Sequence, residues 1–163
     1  MPDAVVITCS GRAAAGTYAD RSGPVLVQAL REWGFACSAP VVVPDGPPVG
    51  DALRAAIADR ADVVLTTGGT GLTPTDQTPE QTRPLLTREV PGIAEALRSA
   101  GTASGVPTAM LSRGLAGLAG TTLIVNLPGS TGGVRDALAV LQPVLAHAVH
   151  QVAGGDHGGQ PGG

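Results

Sequence analysis

The sequence contains no lysine, since all ten of its basic residues are arginine. This absence excludes chemistries that need an ε-amine, among them the P-loop lysine, the Schiff-base lysine of pyridoxal enzymes and any lysine nucleophile. Residues 11–18 have the glycine spacing of a P-loop, but Thr17 stands where that motif requires lysine. We therefore reject a P-loop. No GxGxxG string follows the first predicted strand either, which excludes the Rossmann dinucleotide fingerprint.

Aromatic residues are nearly as scarce, with Tyr18, Trp33 and Phe35 the three in 163 residues. Proteins that bind single-stranded nucleic acid stack bases on aromatic side chains, and this chain has too few to do so. The net charge of −3 and the pI near 5.5 leave no basic footprint for duplex DNA. We expect no nucleic-acid partner, and a core built from alanine, valine, leucine and isoleucine.

Cysteine is rare, and long hydrophobic runs are missing. Cys9 and Cys37 are the two cysteines, and they form no CxxC pair. They fit buried thiols in a reducing compartment. No apolar run approaches the 18 residues of a membrane span, and the N-terminus lacks the features of a signal peptide. We therefore expect a cytoplasmic protein that does not engage a membrane.

Short β-branched runs alternate with helix-like segments, which predicts an α/β fold, a three-layer sandwich with a mostly parallel sheet. Residues 1–153 are expected to form a single domain, and the glycine-rich residues 154–163 a disordered tail. The predicted strands are residues 4–9, 39–43, 62–67, 108–111 and 121–126. The main predicted helices are residues 22–33, 49–60, 93–100 and a continuous last helix over 133–152.

In such a fold, ligands bind beyond the carboxyl ends of the strands, so the loops there are the candidate site. The strongest local signal is TTGGTG, residues 66–71. Without a Cβ, Gly68, Gly69 and Gly71 let backbone N–H groups approach an anion, and Thr67 and Thr70 add hydroxyl donors. The alternative is a tight turn with a purely structural role.

Two aspartates follow strand ends. A carboxylate beside a phosphate-binding loop favours an intervening cation, so Asp76 is a candidate Mg²⁺ ligand; the alternative is a cap for the helix that begins near Pro79. Asp45 lies in a Pro/Gly turn, where aspartate is common for structural reasons alone. Thr78 itself is predicted to be the N-cap of that helix, with Gln81 completing a capping box.

Two further loops offer groups for an anion. Ser10 and Arg12 follow the first strand and are candidates for binding a phosphate or a pterin, against the alternative of an ordinary surface loop. Gly129 and Ser130 precede the last helix, whose N-terminus favours negative charge, against the alternative of plain capping.

Six stretches together resemble the molybdopterin adenylyltransferase family, the Mog/MoaB-type proteins of molybdenum cofactor synthesis, with the closest likeness to the actinobacterial Mog type. Together the six stretches cover nearly the whole domain, and TTGGTGxxxxDxTPE combined with LPGS is a highly specific signature. The stretches are SGRAAAGTYADRSGP (10–24), VVPDG (42–46), DVVLTTGGTGLTPTDQTPE (62–80), REVPGIAEALR (88–98), TAMLSRGLAG (108–117) and TLIVNLPGSTGGVRDAL (122–138).

The resemblance implies a reaction in which molybdopterin and Mg-ATP give adenylylated molybdopterin and pyrophosphate. It implies that ATP and Mg²⁺ are required, that the protein is a homotrimer, and that the product is handed to a molybdate-insertase partner. By the same resemblance, residues 68–71 match the phosphate loop, and Asp76 and Asp45 match two functional carboxylates. Gly129 and Ser130 match a loop that lines the site.

One position departs from the family pattern: many members have aspartate after the serine of the first loop, where this chain has Gly11. The alternatives are a MoaB-type paralogue that binds molybdopterin without efficient adenylylation, and a trimeric carrier or scaffold that passes molybdopterin on. A generic nucleotide-binding α/β domain is a third. Retention of both Asp45 and Asp76 favours the enzyme.

Overall fold

The structure is a computed structural model that describes residues 1–155. Its strands are β1 (Asp3–Cys9), β2 (Ala36–Cys37), β3 (Val41–Val43), β4 (Val63–Thr67), β5 (Arg88–Glu89), β6 (Ala116–Ala119) and β7 (Thr122–Leu127). Its α-helices are α1 (Gly11–Ala14), α2 (Ser22–Glu32), α3 (Pro47–Ala58), α4 (Thr78–Thr82), α5 (Pro91–Ala103), α6 (Thr131–Leu141) and α7 (Leu145–Val152). Two 3₁₀ helices cover Arg83–Leu85 and Pro107–Leu111.

The strands of the described chain form one sheet in the order β2-β1-β4-β7-β6-β5, and β3 also pairs with β1. Because β4 runs along one edge of β1, the short strands β2 and β3 share the other edge. The pairs among β1, β2, β3, β4 and β7 are parallel, whereas β6 is antiparallel to both β7 and β5. The sheet is therefore mostly parallel, and β1, β4 and β7 end at the same edge.

Helices cover both faces of the sheet. Alternating residues in the central strands point to opposite faces, so that Leu123 and Val125 of β7 join one apolar cluster and Ile124 joins the other. The first cluster packs against α2, α6 and α7, and the second against α3. This is the predicted three-layer α/β sandwich, and the prediction of its mostly parallel sheet is confirmed.

Two predicted elements are wrong. Residues 108–111 are not a strand but part of the 3₁₀ helix Pro107–Leu111. The continuous last helix is instead two helices, α6 and α7. Pro143 lies between them, and because proline has no N–H to give to the preceding turn, it ends the first helix. Most of the predicted tail, residues 156–163, lies outside the described residues. No helix in residues 1–155 is long and apolar enough to cross a bilayer.

Candidate functional site

The candidate site lies where the loops after β1, β3, β4 and β7 meet. Backbone hydrogen bonds join these loops in pairs: the N–H of Ser10 donates to the carbonyl of Val43 (2.9 Å), and the N–H of Gly68 to the carbonyl of Leu127 (3.0 Å). The parallel register thus brings together the four loops that the sequence singled out.

The loop after β4 requires glycine for two reasons: its backbone has positive φ values, and it has no room for a Cβ atom. Gly68 and Gly69 have φ values of +96° and +68°, in the left-handed region. A Cβ on Gly68 would collide with the carbonyl oxygen of Cys9, and one on Gly69 with the hydroxyl of Thr78. A Cβ on Gly129 would lie 3.3 Å from the Cα of Gly68. The two loops therefore touch through bare backbone, and no side chain of Gly68, Gly69 or Gly129 covers them.

Two threonine hydroxyls hold this loop in place. The buried hydroxyl of Thr67 donates to the carbonyl of Pro128 (2.7 Å), which ties the end of β4 to the loop after β7. Its hydrogen is committed to that bond, so only its lone pairs are left for a ligand. The hydroxyl of Thr78 donates to the carbonyl of Gly68 (2.9 Å). Thr78 is the first residue of α4, and Gln77 occupies the N-cap position, so the predicted capping role of Thr78 is wrong.

The two predicted carboxylates flank the glycine loop. A Cβ on Gly69 would lie 3.0 Å from Oδ1 of Asp45, and one on Gly71 would lie 2.8 Å from Oδ2 of Asp76. Partial burial raises the pKa of Asp45, an N–H from Gly11 (3.4 Å) lowers it, and the charge of Asp76 raises it. Asp76 is thus close enough to Asp45 for its charge to act on the Asp45 carboxyl.

Asp76 does not cap α4. Its Oδ2 accepts a hydrogen bond from the N–H of Thr73 (3.0 Å), within the turn that precedes the helix. The alternative explanation of Asp76 as a helix cap is therefore wrong.

The donor set around the loop fits magnesium bound together with a nucleotide. Residues 1–155 contain no group of three or more His, Cys, Asp or Glu side chains that would form an all-protein metal cage. Mg²⁺ is usually held by one or two carboxylates plus substrate phosphates, and Asp45 and Asp76 beside the glycine loop are carboxylates of that kind. Magnesium at this place remains part of the proposal below.

A pocket of about 560 Å³ opens beside the glycine loop. Arg12 and Tyr18 stand at its exposed wall, with the guanidinium carbon of Arg12 5.4 Å from the centre of the ring. At another wall Ser130 caps α6, since its hydroxyl accepts from the N–H of Gly133 (3.1 Å). The pocket lining includes six of the predicted site residues, namely Ser10, Arg12, Thr67, Gly68, Gly129 and Ser130.

A second cavity of about 220 Å³ is lined by Thr70 and Gly71 of the glycine loop and shares Ser130 with the first pocket. Leu97 and Ala109 contribute to a mostly apolar lining. Most of the predicted residues thus divide between two adjoining cavities that share Ser130, whereas Gly69, Asp45 and Asp76 line neither cavity.

The sequence analysis missed two residues of the site. Asp20 lines the larger pocket, where it accepts hydrogen bonds from the hydroxyl of Thr8 (2.8 Å) and the N–H of Gly23 (3.0 Å). Asp20 lies two residues before α2 begins, and an aspartate just before a predicted helix is a pattern that indicates a side-chain hydrogen bond to the first turn. Arg113 contacts the carbonyls of Gly71 and Asp76. Its partners are about forty positions away, so no local pattern indicates the contact.

The chain is similar to proteins of known structure over nearly its whole length. It is 51% identical to a structure described as the molybdopterin biosynthesis Mog protein from Mycobacterium ulcerans, covering 93% of this chain and 99% of that one, with a TM-score of 0.89. It is 44% identical to a structure described as the molybdopterin biosynthesis enzyme MoaB from Thermus thermophilus, covering 94% and 98%, with a TM-score of 0.86.

Among curated proteins, the chain is 42% identical over 156 residues to a molybdenum cofactor biosynthesis bifunctional protein of Synechococcus elongatus. The match covers 95% of this chain and 49% of that protein, so the chain spans about half the length of this relative. The family described as the probable molybdopterin binding domain matches residues 5–147. The chain therefore belongs to this molybdopterin-binding domain family of molybdenum cofactor biosynthesis.

Proposed function

We propose that the protein transfers the adenylyl group of ATP to the terminal phosphate of molybdopterin and releases pyrophosphate. The observation that carries the proposal is the pair of carboxylates, Asp45 and Asp76, beside a loop whose residues Gly68 and Gly69 leave no room for a Cβ. Two carboxylates repel a bare phosphate, so they suit a site for a polyphosphate that arrives with a divalent cation. A pocket that only held the pterin phosphate would be expected to place cations there.

The chemistry needs no general base. The terminal phosphate of molybdopterin has a second pKa of about 6 and is largely dianionic at neutral pH. One of its oxygens attacks the α-phosphorus of ATP, and the bond from that phosphorus to the oxygen bridging the β-phosphate breaks. Pyrophosphate leaves with the electron pair, and no proton moves. The Cys9 thiol in the pocket lining is neutral at this pH, because burial raises its pKa to about 12.

The main barrier is to bring two polyanions together and align them for in-line displacement. The backbone N–H groups of residues 69–71 and the N-terminus of α6 offer preorganised donors, and Arg12 adds a positive charge at the pocket wall. Magnesium held by Asp76, with Asp45, would supply further neutralisation at the phosphates. The chain lacks lysine, so arginine and backbone amides take the role that a phosphate-binding lysine has elsewhere.

A second candidate is a molybdopterin carrier that binds without efficient turnover. The observation that favours it is Gly11, which stands where the family resemblance implies an aspartate. The backbone N–H of Gly11 donates to Asp45, and a Cβ at Gly11 would meet no atom within 4 Å. An acidic side chain would fit beside Asp45, and this chain lacks it. Both candidates are compatible with a homotrimer and with hand-over to a molybdate-insertase partner.

The experiment is an incubation of the protein with molybdopterin, Mg²⁺ and ATP labelled in its α-phosphate. If the protein is an adenylyltransferase, we expect one pyrophosphate and one labelled pterin for each ATP consumed. If the protein is a carrier, we expect it to bind molybdopterin and to release no pyrophosphate. A third result, tight AMP binding without molybdopterin binding, would indicate a generic nucleotide-binding domain. Removal of Mg²⁺ with EDTA should abolish turnover and leave molybdopterin binding in place.

A further inference from the structure

Arg113 makes three hydrogen bonds to the loop that carries Asp76. Its Nε donates to the carbonyl of Gly71 (2.9 Å), and its Nη2 donates to the carbonyl of Asp76 (3.0 Å). Its own backbone N–H donates to the carbonyl of Thr70 (2.8 Å). One residue thus fastens both ends of the segment between the glycines and the acidic turn.

Glu80 fixes the guanidinium in turn. Nη1 of Arg113 lies 2.7 Å and 2.9 Å from the two carboxylate oxygens of Glu80, which is in the first turn of α4. The side chain of Arg113 is 37% exposed and that of Glu80 is 51% exposed, so this ion pair by itself adds little to stability. Its consequence is geometric, because a guanidinium held on Glu80 can contact the two loop carbonyls only in one orientation.

Apart from the contacts of Arg113, the hydrogen bonds of residues 71–76 join Thr73 to Asp76 and to Thr75, within the turn itself. Residues 68–77 contain no helix or strand, and residues 72–75 are exposed. Within the segment, the contact between Asp76 and Thr73 is local to the turn. The carbonyl contacts of Arg113 therefore fix where the turn lies relative to Gly71, beside which the carboxylate of Asp76 is found.

We propose that Arg113 is a positioning residue for the nucleotide site. By holding the carbonyls of Gly71 and Asp76, it keeps the Asp76 carboxylate beside the glycine loop in the arrangement that the metal-bound polyphosphate requires. The inference rests on the proposed function and deepens it. Arg113 acts through the loop and touches no substrate in this account.

The test compares Arg113→Met and Arg113→Lys with the wild type, and uses Arg83→Met as the matched control. Arg83 forms an exposed ion pair with Glu89 that does not reach the glycine loop. We expect Arg113→Met to weaken binding of Mg-ATP, measured by calorimetry, and to lower kcat, each by about 10- to 100-fold. The KM for molybdopterin should stay unchanged. Arg113→Lys should rescue little, because lysine lacks the planar fork.

The decisive comparison is the double variant Arg113→Met with Asp76→Asn. If Arg113 acts by positioning Asp76, the Arg113→Met substitution should change the affinity for Mg-ATP less than twofold in the Asp76→Asn background. The effects of the two substitutions would then be strongly non-additive. A merely structural arginine would give the same loss in both backgrounds, and that result would overturn the proposal, as would wild-type binding in Arg113→Met.

Two readouts separate this inference from the proposed function. Hydrogen exchange of residues 70–77 should quicken in Arg113→Met and not in Arg83→Met. If the wild type binds Mg-ATP but forms no adenylylated product, the proposed function fails, while the binding cycle still tests Arg113. If turnover is present and the cycle is additive, the role of Arg113 fails alone.

Discussion

The charge of Asp76 contributes to a raised pKa at Asp45, so the two carboxyl groups beside the glycine loop are electrostatically linked. The largest cause of that raised pKa is partial burial, and the N–H of Gly11 opposes both effects. Placing two acidic groups this close has no benefit for folding. Electrostatic repulsion between neighbouring carboxylates is typical of functional sites, where charged groups are placed for their chemistry.

Asp45→Asn should stabilise the folded protein at neutral pH in the absence of metal. A carboxyl with a raised folded-state pKa binds more protons in the folded than in the unfolded state, so its cost appears as pH rises through the raised pKa. We expect a Tm increase of at most about 2 °C near pH ~7, because the group is partly exposed. The gain should vanish near pH ~3, where the carboxyl is protonated in both states. A gain that is equal at both pH values would contradict the electrostatic origin.

Gly69→Ala should abolish nucleotide binding and destabilise the fold. The new Cβ would collide with the hydroxyl of Thr78 at a positive φ, a cost of more than about 1 kcal/mol by urea unfolding. Gly92→Ala is the matched control, since a Cβ there meets no atom within 4 Å and Gly92 lies in the first turn of α5. It should leave binding unchanged. Normal Mg-ATP binding by Gly69→Ala would show that the bare backbone is not needed.

Thr67→Val should loosen the loop after β7. The substitution keeps the shape of the buried side chain but removes the hydrogen bond to the carbonyl of Pro128, at a cost of about 1 kcal/mol in the free energy of unfolding. Thr67→Ser keeps the hydroxyl and should preserve molybdopterin affinity better than the valine variant. Equal affinity in the two variants would mean that the tie between the loops does not matter for binding.

Arg12→Ala should raise the KM for molybdopterin about tenfold without changing Tm, because the side chain is exposed and contributes a charge rather than packing. The effect should shrink as salt is raised. Arg54→Ala is the control, since Arg54 pairs with Asp51 on the exposed side of α3. If both variants behave alike in steady-state kinetics, the effect is one of net charge and not of the pocket.

The fold could be predicted because its information is local. Each central strand is a short β-branched run, and the strand after residue 62 leads directly into a glycine string whose conformation few other residues adopt. The errors have physical causes as well. The apolar run at residues 108–111 is too short for its periodicity to separate strand from helix. Because proline has no N–H, Pro143 indicates a helix break, but the helical apolar pattern continues on both sides of it and favoured one continuous helix.

The part of the site that could not be predicted depends on contacts between distant positions. Thr78 was expected to cap its helix, but the fold brings the carbonyl of Gly68 within reach and its hydroxyl binds there instead. Arg113 contacts Gly71 across 42 positions of sequence, and an arginine before a glycine carries no local signal of such a role. Sequence patterns identify the loops, whereas only the three-dimensional structure shows which side chains hold them.

The most direct test of the account is pyrophosphate release by the wild type and by Asp76→Asn, at saturating Mg-ATP and molybdopterin. The account predicts that Asp76→Asn retains its Tm and its affinity for molybdopterin and loses about 10²- to 10³-fold in turnover, the scale expected when a group that stabilises developing charge is removed. Turnover by Asp76→Asn equal to that of the wild type would contradict the claim that the carboxylate beside Gly71 serves adenylyl transfer.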